Sequence, residues 1–180
     1  GKKAEFLIIN GAECEPYLTS DYRVLVEMPE QVLIGAALMM KALNVTQGFI
    51  GIEENKPEAI KVMTEKAKGY PQIKIVTLKK KYPQGGEKQL IDAVMKRQVK
   101  SMGLPIDVGA VVQNVATSLA VYEAVQKNMP LVTNVLTVTG DCLPMENQHN
   151  YKFRIGMPLS YIAEHAGGIP EAAAKIISGG

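Results

Sequence analysis

The sequence predicts an α/β fold in which helices cover a mostly parallel sheet. Strand-like segments at 6–9, 48–52 and 73–78 alternate with helical segments, one over 29–43 and one that begins at Pro57. Parallel strands need a crossover that is usually helical, so this β-α-β-α-β order favours a parallel sheet. After residue 130 the sequence becomes extended and β-branched, which predicts a second, smaller unit.

The elements of the first half have local causes. The run over 6–9 is continuously apolar, as in a buried parallel strand, and residues 10–20 after it are rich in turn formers. Pro29 suits the first position of a helix, where its missing N–H costs nothing, and Asn44 suits the C-terminal end. The predicted helix between these two residues presents a broad apolar face to the sheet.

The chain from 82 to 127 continues this architecture with a weaker pattern. Residues 82–87 form a loop with two glycines, and a helix is predicted at about 88–97. Residues 107–113 carry three valines and are predicted as a strand, after which Asn114 begins a helix over 115–127. These segments complete a first predicted domain, residues 1–130.

A second unit is predicted over residues 131–180. Residues 131–139 are extended and β-branched, 151–155 are a further strand, and 159–166 are a short helix. The polar, turn-rich segment 140–150 separates the two strands. This order predicts a small β-rich module rather than another βα unit.

Composition excludes several classes of function. The 180 residues are 47% hydrophobic, enough for a core, and their formal net charge of +2 is too small to indicate nucleic acid or an anionic membrane as a partner. Two cysteines form no disulfide framework, which favours a reducing compartment. No apolar run reaches the roughly 20 residues of a membrane helix, and no signal peptide opens the sequence. We expect a cytoplasmic protein, and the abrupt ends indicate a segment of something longer.

Three loops carry polar residues suited to a ligand. The first, residues 10–17, follows the first strand and reads Asn-Gly-Ala-Glu-Cys-Glu-Pro-Tyr. In open α/β sheets, ligands bind beyond the carboxyl ends of the strands. If the loop is extended, Glu13 and Glu15 point the same way and can accept hydrogen bonds from ribose hydroxyls or an amide. The alternative is a solvated loop in which Asn and Gly only form turns.

The second loop, residues 82–87, places Gly85 and Gly86 before a helix. Glycines in that position allow backbone N–H groups to approach an anion, which a helix N-terminus favours, and Tyr82 could cover an aromatic ring. The alternative is a tight turn with an ordinary helix start.

The third loop contains Gln113, Asn114 and Thr117. Capping of the following helix accounts for the asparagine without any ligand. In the functional alternative, two side-chain amides at a strand end form hydrogen bonds to a flavin or its ribityl chain. No metal site is expected, because His149 and His165 stand far apart and Cys14 between two glutamates does not resemble a closed site.

Together, the loops resemble the C subunits of Rnf-type electron-transport complexes, which are relatives of the flavoprotein NADH-binding subunit of respiratory complex I. The resemblance covers essentially the whole chain, and the Glu-Cys-Glu-Pro-Tyr and Tyr-Pro-Gln-Gly-Gly motifs are specific in combination. The motifs occur in the order 10–17, 52–59 (Ile-Glu-Glu-Asn-Lys-Pro-Glu-Ala), 82–90 and 113–117.

The resemblance implies a Rossmann-like three-layer domain that binds FMN and receives hydride from NADH. A partial β-grasp module of the soluble-ligand-binding type would follow at 131–180. Electrons would pass between NADH, FMN and iron–sulfur carriers within a larger complex, with the clusters outside this chain. The chain would thus be part of an NADH-dependent oxidoreductase subunit, itself inactive when isolated.

The resemblance also implies cofactor-binding residues in each loop. In the first loop, Asn10 and Glu13 would lie along the flavin, and Glu15 would face the nicotinamide nucleotide. Residues of the second loop would line the flavin pocket, and Glu87 of that loop would reach toward NADH. Residues of the third loop would hold the flavin from the opposite side. No residue is implied as acid or base, since the cofactor carries the chemistry. The residues implied from the second and third loops are Tyr82, Gly85, Gly86, Glu87, Gln113, Asn114 and Thr117.

The sequence also departs from the family pattern. In the family, a glycine-rich loop before the first strand binds the flavin phosphate. This sequence lacks that loop and the lysine associated with it. It also lacks the cysteine-rich motifs that bind the iron–sulfur clusters. Relative to the complex I branch, Ala12 replaces an acidic residue and Gly86 replaces a glutamate. We therefore expect this chain alone to bind FMN weakly or not at all, with FMN and NADH held by a longer protein.

Other functions stay open at this point. Similar subunits accompany amino-acid reductases, such as proline reductase, and cobalamin reduction. The fold could also be a non-catalytic docking module without flavin, or the β-grasp module could bind a small molecule or cobalamin. In the leading hypothesis the partners are other subunits of an electron-transport complex at the inner face of the cell membrane, with membrane contact only through those partners.

Overall fold

The computed structural model describes residues 2–179. The strands are β1 (Phe6–Gly11), β2 (Gln47–Glu53), β3 (Ile73–Leu78), β4 (Ala110–Asn114), β5 (Thr133–Val138) and β6 (His149–Arg154). The α-helices are α1 (Ser20–Glu27), α2 (Pro29–Leu43), α3 (Pro57–Ala67), α4 (Glu87–Met95), α5 (Val115–Lys127) and α6 (Leu159–His165).

Strands β1 to β4 form one parallel sheet in the order β3-β2-β1-β4. The central strand β1 pairs with β2 on one side and β4 on the other, so Ile8 lies between Phe49 and Val112. The α/β class and the parallel sheet predicted from the sequence are confirmed. Because all four strands run the same way, their carboxyl ends meet at one edge.

Helices cover both faces of this sheet. Alternate residues of a strand point to opposite faces, and on β1 this sends Leu7 and Ile9 to one side and Phe6 and Ile8 to the other. Helices α1, α2, α3 and α5 cover the first face, and α4 covers the second, where Leu90 is fully buried. The result is the three-layer arrangement that the sequence predicted for this part.

Helix α2 packs very closely against α5. A Cβ atom added to Gly35 would lie 1.8 Å from the backbone oxygen of Ser118, so no larger residue fits there. Ser118 is buried, and its hydroxyl donates a hydrogen bond to the carbonyl oxygen of Val32 at 2.8 Å. The close approach of two backbones fixes the position of α5, whose N-terminus borders the candidate site.

Several predicted helix signals act as expected. Pro29 and Pro57 occupy the first turns of α2 and α3. Asn44 ends α2 in the left-handed conformation with φ of 54°. Asn114 caps α5, its side-chain oxygen accepting a hydrogen bond from the N–H of Ala116 at 2.7 Å.

Some predicted boundaries are wrong. The strand predicted over 107–113 begins later, because Pro105–Val108 form a 3₁₀ turn and Gly109, with φ of 78°, redirects the chain into β4. The helix predicted at 88–97 ends at Met95, because Lys96 adopts a left-handed conformation with φ of 57°. No helix was predicted over the residues of α1.

The second unit is smaller and less buried. Strands β5 and β6 form an antiparallel pair, and α6 follows. His149 and Asn150, predicted as part of a polar loop, belong to β6. Thr19 joins the units, its N–H donating to the hydroxyl of Thr137 at 3.2 Å and its hydroxyl accepting from the amide of Asn150 at 3.0 Å. The domain boundary at 130 and the β-grasp assignment stay predictions.

Across residues 2–179, no helix combines the length and the apolar character needed to cross a membrane.

Candidate functional site

The three predicted loops lie along the carboxyl edge of the parallel sheet. The first loop follows β1, the second lies between β3 and α4, and Asn114 of the third is the last residue of β4. Strands β1 and β4 are adjacent in the sheet, whereas β2 separates β1 from β3. Side-chain hydrogen bonds nevertheless connect the three loops, as described below.

Asn10 joins the first loop to the second. Its side-chain amide donates a hydrogen bond to the carbonyl oxygen of Gly85 at 2.9 Å, and its oxygen accepts from the N–H of Ala12 at 3.1 Å. A Cβ atom added to Gly85 would lie 2.8 Å from the backbone oxygen of Ala12. The glycine therefore permits the two backbones to touch, which explains why this position lacks a side chain.

Tyr82 and Glu15 form a second bridge between these loops. The tyrosine hydroxyl donates to Oε1 of Glu15 at 3.0 Å, and Tyr82 as a residue is 70% exposed. That hydrogen bond, followed by the charge of Glu15, raises the pKa of Tyr82 above its ordinary value. Both side chains are accessible to a ligand that settles on this edge.

Glu13 points to the N-terminus of α1. Its carboxylate accepts hydrogen bonds from the N–H groups of Asp21 at 2.9 Å and Tyr22 at 3.2 Å, and from the hydroxyl of Ser20 at 3.3 Å. Lys56 lies 3.7 Å away, and the side chain of Glu13 is only 5% exposed. The carboxylate caps α1, where the helix dipole favours negative charge.

Asn114 reaches the same helix from the other side. Its amide donates to Oδ2 of Asp21 at 2.7 Å while its oxygen caps α5. Burial raises the pKa of Asp21 to about 6; the hydrogen bond from Asn114 opposes this rise and the charge of Glu13 adds to it. Glu13, Asp21 and Asn114 thus link the ends of β1 and β4 through the start of α1.

A cavity of about 1140 Å³ adjoins this chain of contacts, between α1, α5 and the β5–β6 pair. Asp21, Asn114 and Thr117 line it from the first unit, and Thr137 and Asn150 from the second. The structure therefore divides the predicted residues: Asn114 and Thr117 line this cavity, whereas Glu13 and the residues that bridge the first two loops do not.

The remaining predicted residues occupy less connected positions. Gly86 is the N-terminal cap residue of α4, with extended φ and ψ of −60° and 129°, and Glu87 after it is exposed. Gln113 is half-buried in β4 opposite Ile9 of β1. Thr117 is exposed in the first turn of α5.

Three residues of this edge were not among the predicted ones. They are Asp21, Lys56 and Glu53, the last of which ends β2 and is 1% exposed. Two of them stand in the motif 52–59, which indicated the family but no individual role. Nothing in the sequence pattern marked Asp21 as a site residue, because no helix was predicted to begin beside it. Among residues 2–179, no group of three or more His, Cys, Asp or Glu side chains is placed to hold a metal ion.

Residues 1–123 match the family model described as the Nuo51 FMN-binding domain. The chain belongs to this family. The match spans β1 to most of α5 and so includes all the loops described above. The resemblance found in the motifs is thereby confirmed at the level of the FMN-binding domain.

Relatives of this Nuo51 FMN-binding domain include the C subunits of two oxidoreductase complexes. The chain is 46% identical over 179 residues to the C subunit of the proton-translocating ferredoxin:NAD(+) oxidoreductase complex of Clostridium ljungdahlii, covering 99% of this chain and 38% of that protein. It is 41% identical to the C subunit of the Na(+)-translocating ferredoxin:NAD(+) oxidoreductase complex of Acetobacterium woodii, covering 99% and 40%. The chain therefore spans about two fifths of the length of these relatives.

A solved structure shares the fold. The crystal structure of an NAD+-reducing nickel–iron hydrogenase in the H2-reduced state superposes with a TM-score of 0.75 at 22% identity, covering 91% of this chain and 33% of that chain. At this identity the likeness concerns the fold alone.

The carboxyl edge fits the flavin that names this domain family. Asn10, Glu15 and Tyr82 bring amide, carboxylate and aromatic groups together where the first and second loops touch, and Gly85 there is half-buried. Oε1 of Glu53 is buried at the same edge without a hydrogen-bond partner among residues 2–179. Such an orphaned acceptor is uncommon in a folded protein and suits a site that receives a polar ligand.

Proposed function

We propose that this chain forms the NADH- and FMN-handling part of an electron-transfer subunit within a larger oxidoreductase complex of the Rnf type. The observation that carries the proposal is the joining of the first and second loops at the carboxyl edge, through Asn10 with Gly85 and Tyr82 with Glu15. Membership of the Nuo51 FMN-binding domain family and the names of the relatives support it.

The protein groups in this proposal bind and orient. Asn10 and Asn114 each use one amide N–H within the protein and keep a second for a ligand. Glu15 keeps a carboxylate oxygen for ribose hydroxyls, and Tyr82 presents a ring face. FMN, if bound, would supply the chemistry of hydride and electron transfer, and the residues of the loops would hold and orient it. Gly85 keeps the two loops close enough to act on one ligand.

The partners in this proposal are other subunits of the complex and the nicotinamide nucleotide. The relatives are named for ferredoxin:NAD(+) oxidoreductase complexes that translocate ions, which favours a peripheral position at the inner face of the cell membrane with contact through partner subunits. Iron–sulfur carriers would then receive or supply the electrons outside these 180 residues.

Cofactor titration tests the proposal. FMN and NADH are titrated separately into this chain and into a chimera in which it replaces the matching segment of the Clostridium ljungdahlii protein, of which it spans 38%. We expect weak FMN binding by the chain alone and stoichiometric FMN binding by the chimera. Gly85→Ala should weaken FMN binding in the chimera about tenfold or more, because the added carbon meets the carbonyl of Ala12.

The matched control is Gly69→Ala, because a Cβ atom there would be no nearer than 3.7 Å to other atoms. It should bind FMN as the unmodified chimera does. A folded chimera that binds neither FMN nor NADH would contradict the electron-transfer proposal and favour a docking module that keeps the fold without the cofactor.

A further inference from the structure

Glu53 is the buried carboxyl group of the carboxyl edge whose hydrogen bonding is incomplete. It is the last residue of β2, is 1% exposed, and its Oε1 has no hydrogen-bond partner among residues 2–179. A buried polar atom without a partner is costly, and nearly all such atoms in proteins are paired. Packing within the fold therefore does not explain why a carboxyl group occupies this position.

The strand register places this carboxyl group on the α4 face of the sheet. Residues of β2 alternate between faces, so Glu53 shares its face with Gly51 and Phe49. A Cβ atom on Gly51 would meet Leu78 and Leu90, which belong to the core under α4. Glu53 therefore lies one step closer to the carboxyl edge than that core, on the face where the second loop leads into α4.

The neighbouring strands bring the first and second loops to the same place. Glu53 pairs with Leu78 on β3, and Ile52 before it pairs with Gly11, so Ala12 is its neighbour on the β1 side. Gly85 approaches Ala12 so closely that a Cβ atom would lie 2.8 Å from its carbonyl oxygen. The carboxyl group of Glu53 thus lies next to the junction of the two loops that the proposed function uses.

The charged side chains near Glu53 do not supply the missing hydrogen bond to its Oε1. Burial raises the pKa of Glu53; Lys56 and Lys80 oppose the rise, and Glu13 adds to it. Lys56, however, lies 3.7 Å from Oε2 of Glu13 and 5.0 Å from the ring centroid of Tyr22. A carboxyl group in these surroundings disfavours phosphate and suits hydroxyl or N–H donors.

We propose that Glu53 is a cofactor-binding residue, whose free oxygen accepts a hydrogen bond from a hydroxyl or ring N–H group of a bound nucleotide. The proposal rests on the proposed function, because it takes the ligand of this edge to be FMN or NADH. Both cofactors offer such donors, and separate titrations distinguish them.

Glu53→Leu separates a binding role from a structural one. Leucine suits the apolar surroundings of Ala12 and Leu78 and leaves no orphaned oxygen, so we expect the cofactor-free chain to gain about 2–4 °C in Tm. In the chimera described above, the same change should weaken binding of FMN or of NADH about 10- to 100-fold. A residue needed only for folding would instead lower the Tm.

Two further variants sharpen the test. Glu53→Gln keeps a carbonyl acceptor and should lose less affinity than Glu53→Leu. Glu54→Leu is the control, since that neighbouring side chain is exposed and accepts from the N–H of Lys80 at 3.1 Å. It should change neither the affinity nor the Tm appreciably.

The outcomes also distinguish this proposal from the proposed function. If the unmodified chimera binds a cofactor and Glu53→Leu binds it equally well, Glu53 is not a binding residue and the proposed function stands. If Glu53→Leu lowers both the Tm and the affinity, its role is structural and the inference is wrong. If the unmodified chimera binds neither cofactor, both proposals fail together.

Discussion

The carboxylate of Glu13 stabilises the start of α1. Glu13 accepts hydrogen bonds from two backbone N–H groups and a hydroxyl of the first turn, so α1 begins at Ser20 although Thr19 provides no side-chain cap. Its oxygens are thus already used within the protein, and direct contact between Glu13 and the flavin stays a prediction. Through α1, Glu13 also positions Asp21, which holds Asn114 at the cavity.

The pKa of Asp21 predicts a pH dependence of stability. The pKa of Asp21 is about 6 in the folded protein and 3.8 in the unfolded chain. Between these two pH values the unfolded chain has lost the proton while the folded protein still holds it. The folded state is therefore destabilised as the pH rises through this range. Wild type should lose about 2–3 kcal/mol relative to Asp21→Asn between pH 4 and pH 7. Urea unfolding at pH 4, 5, 6 and 7 measures this difference in free energy.

The exposed Asp92 on α4 serves as the control for Asp21. Asp92→Asn should follow the wild-type profile across the same pH range. If Asp21→Asn also runs parallel to wild type, Asp21 titrates as an ordinary surface carboxyl group, and the proposed burial of its charge beside Glu13 is wrong.

At the scale of elements, the α2–α5 contact sets the position of the third loop. Gly35→Ala should destabilise the protein by at least about 2 kcal/mol, because the new carbon would lie 1.8 Å from the carbonyl oxygen of Ser118 and the two helices must separate. In an exposed helix the same change would stabilise by about 1 kcal/mol, so the expected sign is reversed. Chemical denaturation of both proteins measures the effect.

Gly69→Ala is again the matched control, with its nearest atom at 3.7 Å, and should change the unfolding free energy by under about 0.5 kcal/mol. A Gly35→Ala protein as stable as wild type would show that α2 and α5 can move apart freely. The position of Asn114 at the cavity would then not depend on this contact.

The sequence predicted the elements that carry strong periodicity or terminal signals. Helix α5 begins and ends where predicted, because Asn114 is a capping residue and a regular apolar pattern follows it. Helix α1 was not predicted, because its cap is a carboxylate from a separate loop, and Thr19, the residue that precedes the helix, makes no side-chain capping bond. The start of β4 was predicted too early, because Val108 resembles the valines of the strand. In the structure Val108 ends a 3₁₀ turn, and Gly109 separates that turn from β4.

At the scale of the whole molecule, the common edge of a parallel sheet made the placement of the loops predictable, because the carboxyl ends of parallel strands share one edge. The roles of Asn10, Glu15, Tyr82 and Gly85 toward a cofactor come from the family resemblance and stay predictions. Glu53 was not predicted as a site residue, because the motif 52–59 indicated the family but no individual role, and its burial and unpaired oxygen are seen only in the structure. The cavity walled by β5 and β6 also required coordinates, because the residues that line it are far apart in sequence.

The distribution of buried residues predicts that residues 1–130 fold without the rest. The buried residues of both hydrophobic clusters against the sheet lie between Phe6 and Val115, whereas in the described residues 131–179 the buried apolar side chains are Ile162 and Ala166. The hydrogen bonds of Thr19 across the boundary contribute about 1–3 kcal/mol together. Residues 1–130 should therefore unfold in one cooperative transition, with a Tm lowered by at most about 10 °C.

The isolated second unit should behave differently, because a two-stranded antiparallel pair with one short helix cannot bury a core of its own. Scanning calorimetry and circular dichroism of residues 131–180 should show no cooperative transition. If residues 1–130 unfold gradually instead, the sheet depends on β5 and β6, and the two units are one domain. The cavity between them would then be interior to a single fold, and the domain boundary predicted at residue 130 would be wrong.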